Sequence, residues 1–406
     1  MTAPARHAAP ARVGEDGDLA LLTGPEAPEI VRAALLGSEP ADMDLQVRVL
    51  AVHHRPGAGV SVCYDVTHAG APLGEVLVAS TSEPTRHDHT DGVAVLDDGA
   101  RSLRVWRRAD DPALPGLRGA LDPAQVGAWL GRGERPALSV LSYRPTRRAV
   151  VAAHVGEDTF YLKVVRPRRA SDLVQRHHVL QGSGLGAPAV LAEPEPGVLV
   201  LAPARGRSLA QALAAGEPGL LPAPESVLAA LDSMPAEVAE LPLRPSWVDR
   251  LDFHAAAARS ALPARASEVD GVARRVSAVL AAEAVASAVP THGDLNVANL
   301  FVDGGRVAGV IDVDSLGPGR RADDLATLLA HLLVLPALAP QTYALVPEVT
   351  ARWREAFAAV TDPRELEART AAVLISLVAG ASADQAHARL DLALAAVGRA
   401  DHGGVA

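Results

Sequence analysis

Cysteine, lysine and aromatic residues are all scarce in this chain of 406 residues. Its one cysteine, Cys63, excludes an intrachain disulfide and a cysteine-based zinc site, and it favours a reducing compartment. Of the 38 basic residues only Lys163 is a lysine, and all the others are arginine. Coding bias explains the arginines but not the exception, so Lys163 is a candidate functional residue.

Long hydrophobic runs are missing as well. The most apolar stretch, residues 325–339, is interrupted by Thr327, His331 and Pro336, and it is too short to span a bilayer. The N-terminus has no apolar core typical of a signal peptide. The formal net charge of −10 argues against a nucleic-acid or anionic membrane partner. We therefore expect a cytoplasmic protein.

Hydrophobic residues make up 49% of the chain, which is enough for a core in each of two or three domains. Residues 1–18 are predicted to be a flexible leader and residues 19–135 a β-rich N-terminal cap region. Residues 136–204 are predicted to form a sheet-rich small lobe. Residues 205–406 follow as a helical large lobe with one embedded β-hairpin. This order predicts an α+β fold.

Two β-rich segments resemble each other. The segments VLAVHHRPGAGVSVCYDV and VLSYRPTRRAVVAAHV each contain a strand, an Arg-Pro turn (Arg55-Pro56 and Arg144-Pro145) and a second strand. The similarity fits either an internal duplication or two unrelated hairpins, since Arg-Pro turns also arise by chance. Only the second segment is followed by Lys163.

The segment THGDLNVAN, residues 291–299, carries the strongest functional signal, and a predicted hairpin follows it. Gly304 and Gly305 between apolar runs indicate a two-residue turn. That turn would pair residue 303 with 306, 301 with 308, and 299 with 310. Asp312 would then leave the same face as Asn299. Oxygen atoms of this diagonal pair could share a divalent cation, and Asp294 beside them could orient a substrate hydroxyl and accept its proton.

The sequence resembles the aminoglycoside phosphotransferase-like branch of the protein kinase-like fold. The shared motifs are H-x-D-x-x-x-x-N, the hairpin with its acidic residue, and the downstream segment GPGRRADDLATLL. The resemblance implies a bilobal fold in which residues 136–204 are the N-lobe, with an extra β-rich N-terminal region. It implies that Asp294 is the catalytic base, that Asn299 and Asp312 bind Mg²⁺, that His292 braces the loop, and that Asp324 is a structural acid.

The same resemblance implies a nucleotide site for ATP or GTP. Lys163, in a predicted strand, would reach the α- and β-phosphates. Backbone groups between Ala202 and Ala204 would bind the adenine edge, with Ser208 capping the next helix. The turn before Lys163 lacks the glycine-rich pattern; either Arg147 or Arg148 contacts phosphate there, or the turn is simply solvated. The implied activity is transfer of the γ-phosphate to a hydroxyl of a small molecule.

Two alternatives remain open from the sequence. The helix after Lys163 has no glutamate to pair with the lysine, which is compatible with a catalytically degenerate nucleotide-binding regulator. Asp312-Val313-Asp314 resembles the D-x-D motif of metal-dependent glycosyltransferases. The acceptor could be a sugar, an amino sugar, an amino alcohol or an antibiotic. Residues 341–370 hold five acids against four arginines, which does not favour a polycationic aminoglycoside.

Overall fold

The structure, a computed structural model, describes residues 14–36, 44–55, 57–68, 71–97, 99, 101–282 and 287–402. The chain divides into two compact units. Unit 1 extends to Asp172 and includes residues 190–203; unit 2 contains residues 173–189 and the chain from Ala204 onward. The predicted border between residues 204 and 205 lies one residue beyond Pro203, where unit 1 ends.

Unit 1 contains the β-rich part of the chain. Its helices are α1 (Glu15–Thr23), α2 (Ala27–Leu36), α3 (Leu117–Ala120), α4 (Pro123–Trp129) and the first residues of α5 (Ala170–Val179). Its strands are β1 (Gln46–Arg55), β2 (Gly59–His68), β3 (Ala71–Ser80), β4 (Val93–Asp97), β5 (Ser102–Arg107), β6 (Ala137–Arg144), β7 (Arg148–Val155), β8 (Asp158–Val165), β9 (Val190–Ala192) and β10 (Val198–Leu201).

These strands form two antiparallel sheets, with the orders β1-β2-β3-β5-β4 and β6-β7-β8-β10-β9. Each sheet buries one face against the helices that precede it in the chain. Leu22 and Val31 of α1 and α2 pack on the first sheet, and Leu117 and Val126 of α3 and α4 pack on the second. Alternating apolar residues in the strands supply the other side of each core.

Helix α1 corrects the predicted leader of residues 1–18. The helix begins at Glu15, and the Glu15 side chain is buried, so residues 15–18 belong to the folded unit. The carboxylate of Glu15 accepts hydrogen bonds from Gly57 N and Gly59 N, which explains why the chain is ordered this early. Residues 1–13 of the predicted leader lie outside the described residues.

Unit 2 is mainly helical. Its helices are α6 (Leu209–Ala215), α7 (Pro224–Asp232), α8 (Leu251–Ala261), α9 (Ala266–Ala281), α10 (Arg321–Leu338), α11 (Val346–Ala358), α12 (Pro363–Ser376) and α13 (Ala383–Asp401). Short strands β11 (Arg207–Ser208), β13 (Leu300–Asp303) and β14 (Arg306–Val310) form one sheet, and β12 (Val289–Thr291) pairs with β15 (Gly317–Gly319).

The core of unit 2 lies between α8, α9, α10, α12 and α13, with buried residues such as Val272, Ala330, Leu374 and Leu390. Among the described residues no helix is long and apolar enough to cross a membrane. Antiparallel sheets in one unit and helices in the other confirm the predicted α+β class.

Candidate active site

The loop that contains Asp294 leaves strand β12 at Thr291. The Thr291 hydroxyl donates a hydrogen bond to Gly317 O at 2.9 Å, so the start of the loop is attached to β15. Gly293 has a φ of +77°, and a Cβ at this position would lie 2.6 Å from Ser315 O. Glycine is therefore required here both by backbone conformation and by close packing.

Asp324, in the first turn of α10, binds the backbone of this loop. Its carboxylate accepts hydrogen bonds from His292 N and Gly293 N, both at 2.8 Å, and it is fully buried. Burial raises the pKa of this carboxyl, whereas His292 and the two amide donors act in the opposite direction. A helix N-terminus is also a favourable place for a carboxylate. Asp324 thus fixes the backbone immediately before Asp294.

The His292 ring links the loop to the end of the hairpin. Its Nε2 lies 3.0 Å from Ile311 O, and Asp294 N donates to its Nδ1 at 3.3 Å. Because a carbonyl oxygen can only accept, the ring hydrogen sits on Nε2 and the ring is the neutral tautomer. His292 is fully buried. These contacts fit the bracing role that the sequence resemblance implies for His292.

Two asparagine side chains bind the backbone carbonyl of Asp294. Asn299 Nδ2 donates to Asp294 O at 2.9 Å, and Asn296 Nδ2 approaches the same oxygen at 3.3 Å. Asn296 Oδ1 also accepts from Ala298 N at 2.9 Å. The sequence analysis did not identify Asn296. An asparagine whose side chain accepts a hydrogen bond from the amide two residues later is nevertheless a recognisable turn pattern. Side chains therefore fix both backbone groups of Asp294.

The hairpin after the loop has the predicted turn but not the predicted register. Residues 303 and 306 pair as expected, but a bulge between Phe301 and Val302 makes Phe301 face Gly309 and Leu300 face Val310. The predicted pairs 301 with 308 and 299 with 310 are therefore wrong. The bulge places Gly309 where a Cβ would lie 2.3 Å from Gly186 O. The backbone of Gly186 therefore lies too close for any side chain at position 309.

Asp312 lies after the hairpin and not within one of its strands. Ile311 N donates to Asn299 O at 2.9 Å, and Asp312 follows with a left-handed backbone (φ +58°). Neither Asn299 nor Asp312 lies in a strand, so pleat alternation does not set their directions. The backbone hydrogen bond from Ile311 to Asn299 places Asp312 next in the chain after a residue paired with Asn299. Non-glycine residues with positive φ are uncommon and often occur at functional positions.

The donor set of this pair suits magnesium. Asn299 Nδ2 is engaged by Asp294 O, so the amide oxygen Oδ1 is the end that carries lone pairs for a ligand. A carboxylate and an amide oxygen are hard ligands of the kind Mg²⁺ prefers, with phosphate and water completing the shell. In the described part of the chain, no group of three or more His, Cys, Asp or Glu side chains forms an independent metal site.

The candidate nucleotide residues belong mostly to unit 1. Lys163 lies in β8 between Val150 of β7 and Leu199 of β10, and only 6% of it is exposed. This burial excludes a lysine on a solvent-facing strand. Arg147 is an exposed residue of the β6–β7 turn, and Ala202 directly follows β10.

The start of unit 2 contains the rest of the predicted hinge passage. Ala204 is its first residue after the unit border, and it is partly exposed. Ser208 then forms the predicted cap of α6, in a capping box with Gln211. The segment 202–204 lies outside the strands, so pairing within a sheet does not occupy its backbone groups.

The sheet-rich unit, the helical unit and the braced H-G-D loop with its following hairpin define the bilobal protein kinase-like class. A comparison with protein families agrees with this class. The chain belongs to the phosphotransferase enzyme family APH, whose model matches residues 143–372. The match covers the second sheet of unit 1 except for most of β6, together with most of unit 2, and the first sheet lies outside it.

Solved structures with similar folds include several phosphotransferases. A thermostable mutant of aminoglycoside phosphotransferase APH(4)-Ia, in a ternary complex with AMP-PNP and hygromycin B, is 16% identical with a TM-score of 0.47, covering 66% of this chain and 94% of that chain. Macrolide 2'-phosphotransferase MphH from Brachybacterium faecium is 20% identical with a TM-score of 0.37, covering 70% and 98%. A comparison with curated proteins gives no match.

Proposed function

We propose that this protein transfers the γ-phosphate of ATP to a hydroxyl group of a small molecule. The observation that carries the proposal is that hydrogen bonds fix the backbone both before and at Asp294. Its preceding amides bind the buried Asp324, and its own carbonyl accepts from Asn299. A carboxylate whose backbone is held at both ends is preorganised to orient an acceptor hydroxyl and take its proton.

In this proposal Asn299 Oδ1 and the Asp312 carboxylate hold Mg²⁺. The metal ion, when bound, neutralises charge on the nucleotide phosphates. Phosphoryl transfer has a loose transition state, so positioning and electrostatic stabilisation supply most of the catalysis. No covalent phosphoenzyme is expected. Asp294 acts on the acceptor, and the two metal-binding residues act on the donor.

Lys163 would bind the non-transferred phosphates of ATP. Lys163 is only 6% exposed in its strand, and its ammonium is a compact positive charge of the kind that binds phosphate. The β6–β7 turn, with Arg147 exposed at its tip, would contact the phosphates in place of a glycine-rich loop. Backbone groups of residues 202–204 would bind the base, either adenine or guanine.

The acidic residues of the C-terminal helices bear on the acceptor. Glu367 is buried and paired with Arg354 and Arg399, at 2.8 and 2.9 Å. Glu365 accepts from Arg369 at 2.7 Å, and Asp362 caps α12. Glu365 and Glu367 are neutralised by arginines within unit 2, and Asp362 remains exposed at the helix cap. We therefore favour a neutral or weakly charged acceptor, such as a sugar or an amino alcohol, over a polycationic aminoglycoside.

The direct test is ADP release with a panel of hydroxylated acceptors in the presence of Mg²⁺. Wild-type protein should release ADP with at least one acceptor. Asp294→Ala should lower kcat by at least about a thousandfold and change nucleotide affinity by less than about threefold. Near-normal turnover of Asp294→Ala would show that another group is the base. Nucleotide binding without turnover across the panel would instead favour the degenerate regulator.

A further inference from the structure

The two sheets of unit 1 are built in the same way. Each follows a pair of helices, α1 and α2 or α3 and α4, and each has its strands in the order first, second, third, fifth, fourth. In each, the helices pack on alternate residues of the second strand: Val62, Tyr64 and Val66 in the first sheet, and Ala149, Val151 and Ala153 in the second. The shared order and core face indicate an internal duplication.

A matching irregularity supports the duplication. The first strand of each sheet contains a bulge, between Val49 and Ala51 in β1 and between Val140 and Ser142 in β6. The bulged residues, Leu50 and Leu141, are 45% and 57% exposed. Bulges are specific structural features, so their recurrence at the same Val-Leu dipeptide is unexpected for unrelated hairpins.

Counting pairs from the bulge identifies the residue that replaces Lys163 in the first sheet. Ser142 continues across the second sheet through Val150 to Lys163 and Leu199. The corresponding row in the first sheet runs from Ala51 through Cys63 and Val78 to Trp106. Val78 therefore stands where the second sheet has its lysine. Cys63, Val78 and Trp106 are buried and pack against Tyr143 of β6.

A buried carboxylate holds the hairpin turn in each copy. Glu15 accepts from Gly57 N in the β1–β2 turn at 3.1 Å, and Asp111 accepts from Thr146 N in the β6–β7 turn at 2.7 Å. Gly57 and Thr146 both follow the Arg-Pro pair of their turn, and both have positive φ, +77° and +59°. Thr146 is not a glycine, so its strained conformation depends on contacts such as the one to Asp111.

Asp111 comes from the end of the first copy but acts on the second. It is fully buried, and its Oδ2 also accepts from Tyr143 Oη at 2.7 Å. Its Oδ1 accepts from Ala113 N at 2.9 Å. Trp106 Nε1 donates to Tyr143 Oη at 3.2 Å, which adds a contact from the first sheet to the same hairpin. The carboxylate thus connects the end of the first copy to the end of β6 and to the β6–β7 turn itself.

We propose that the first copy lacks a nucleotide site and serves as a platform for the β6–β7 turn, with Asp111 as the positioning residue for the nucleotide phosphates. The inference rests on the proposed function, in which this turn contacts the phosphates. In the second copy, one face of the sheet carries Lys163. In the first copy, Tyr143 covers the corresponding face. The platform then takes the place of the glycine-rich loop. Because contacts from the first copy hold the turn rigid, the turn does not need the backbone flexibility that glycines provide.

The test compares Asp111→Ala with Glu15→Ala, which removes the equivalent carboxylate from the first copy. Both variants lose a buried acid that binds a turn, so both should be less stable. Asp111→Ala should raise KM for ATP and Kd for ADP about tenfold, the effect of losing one hydrogen bond to a charged group, with the acceptor KM unchanged. Glu15→Ala should leave these constants within about twofold. Amide exchange in residues 144–148 should rise only in Asp111→Ala.

Tyr143→Phe is a milder variant that keeps the carboxylate. It should raise the same constants about threefold, and it remains informative if Asp111→Ala fails to fold. Unchanged ADP affinity in folded Asp111→Ala or in Tyr143→Phe would overturn the platform role. An equal loss in Glu15→Ala would also overturn it, by showing a general effect of stability. Failure of the wild type to bind any nucleotide would overturn the proposed function itself.

Discussion

Replacement of Asp324 by asparagine tests how much the buried carboxylate contributes to the position of Asp294. The carboxylate accepts from two amides at 2.8 Å, and asparagine has nearly the same size. One of its two terminal groups must donate, so one amide loses its acceptor and faces another N–H. The cost is about 2–4 kcal/mol, because hydrogen bonds to charged groups are worth about 1.5–3 kcal/mol and a buried donor is left unpaired.

If this cost falls on the geometry of the loop, kcat of Asp324→Asn should drop between about 30-fold and 1000-fold. The assay is steady-state ADP release, at a temperature where thermal unfolding shows the variant to be folded. Asp323→Asn is the matched control. Asp323 lies beside Asp324 on α10 and burial raises its pKa too, but it pairs with Arg369 at 2.8 Å.

Asp323→Asn should lower the free energy of unfolding by a similar amount and change kcat by less than about threefold, since its carboxylate has no hydrogen bond to the loop. If both variants have the same kcat, the contacts from Asp324 stabilise the fold without positioning Asp294. The reasoning from the two amide bonds would then be refuted.

The remaining predictions concern the loop, the metal and pH. Gly293→Ala should lower kcat at least about tenfold, because its φ is +77° and a Cβ would lie 2.6 Å from Ser315 O; a fully active variant would contradict this. Asp312→Ala should lower Mg²⁺-dependent ADP affinity at least about tenfold in calorimetry, while affinity without metal stays constant. Burial lowers the pKa of His254 to about 4. An unfolded histidine titrates near ~6.5, so below that pH the unfolded chain binds the proton first and stability falls. The free energy of unfolding, measured by urea denaturation, should decrease between pH 7 and pH 5. This decrease should be about 1–2 kcal/mol smaller in His254→Gln than in the wild type.

The sequence was sufficient to predict the class of fold, and it identified the loop as the candidate site. Asp294, Asn299 and Asp312 could be singled out because phosphoryl transfer needs a carboxylate base and hard oxygen ligands, and their spacing is specific. The turn at Gly304-Gly305 could be predicted as well, because it depends on two adjacent residues. The strand position of Lys163 was predicted from the surrounding apolar residues, and the structure places it in β8.

Other features were decided by contacts between distant parts of the chain. The hairpin has a bulge between Phe301 and Val302, so the pairing predicted from regular alternation was wrong, and Gly309 packs against Gly186, more than 100 residues earlier. The first residues of helix α1, 15–18, were assigned to a leader, although Glu15 is held by the turn at Gly57. Asp111 had no motif at all.

The amino-acid sequence by itself determined which side chains can do chemistry here, since the identity of a base or a ligand is a property of the residue. Tertiary structure decided how those side chains are held, through a buried acid beneath Asp294 and a duplicated sheet beside the β6–β7 turn. The physical reason is that a hydrogen bond depends on distances of a few tenths of an ångström between groups far apart in the chain. Local patterns along the sequence do not encode such distances.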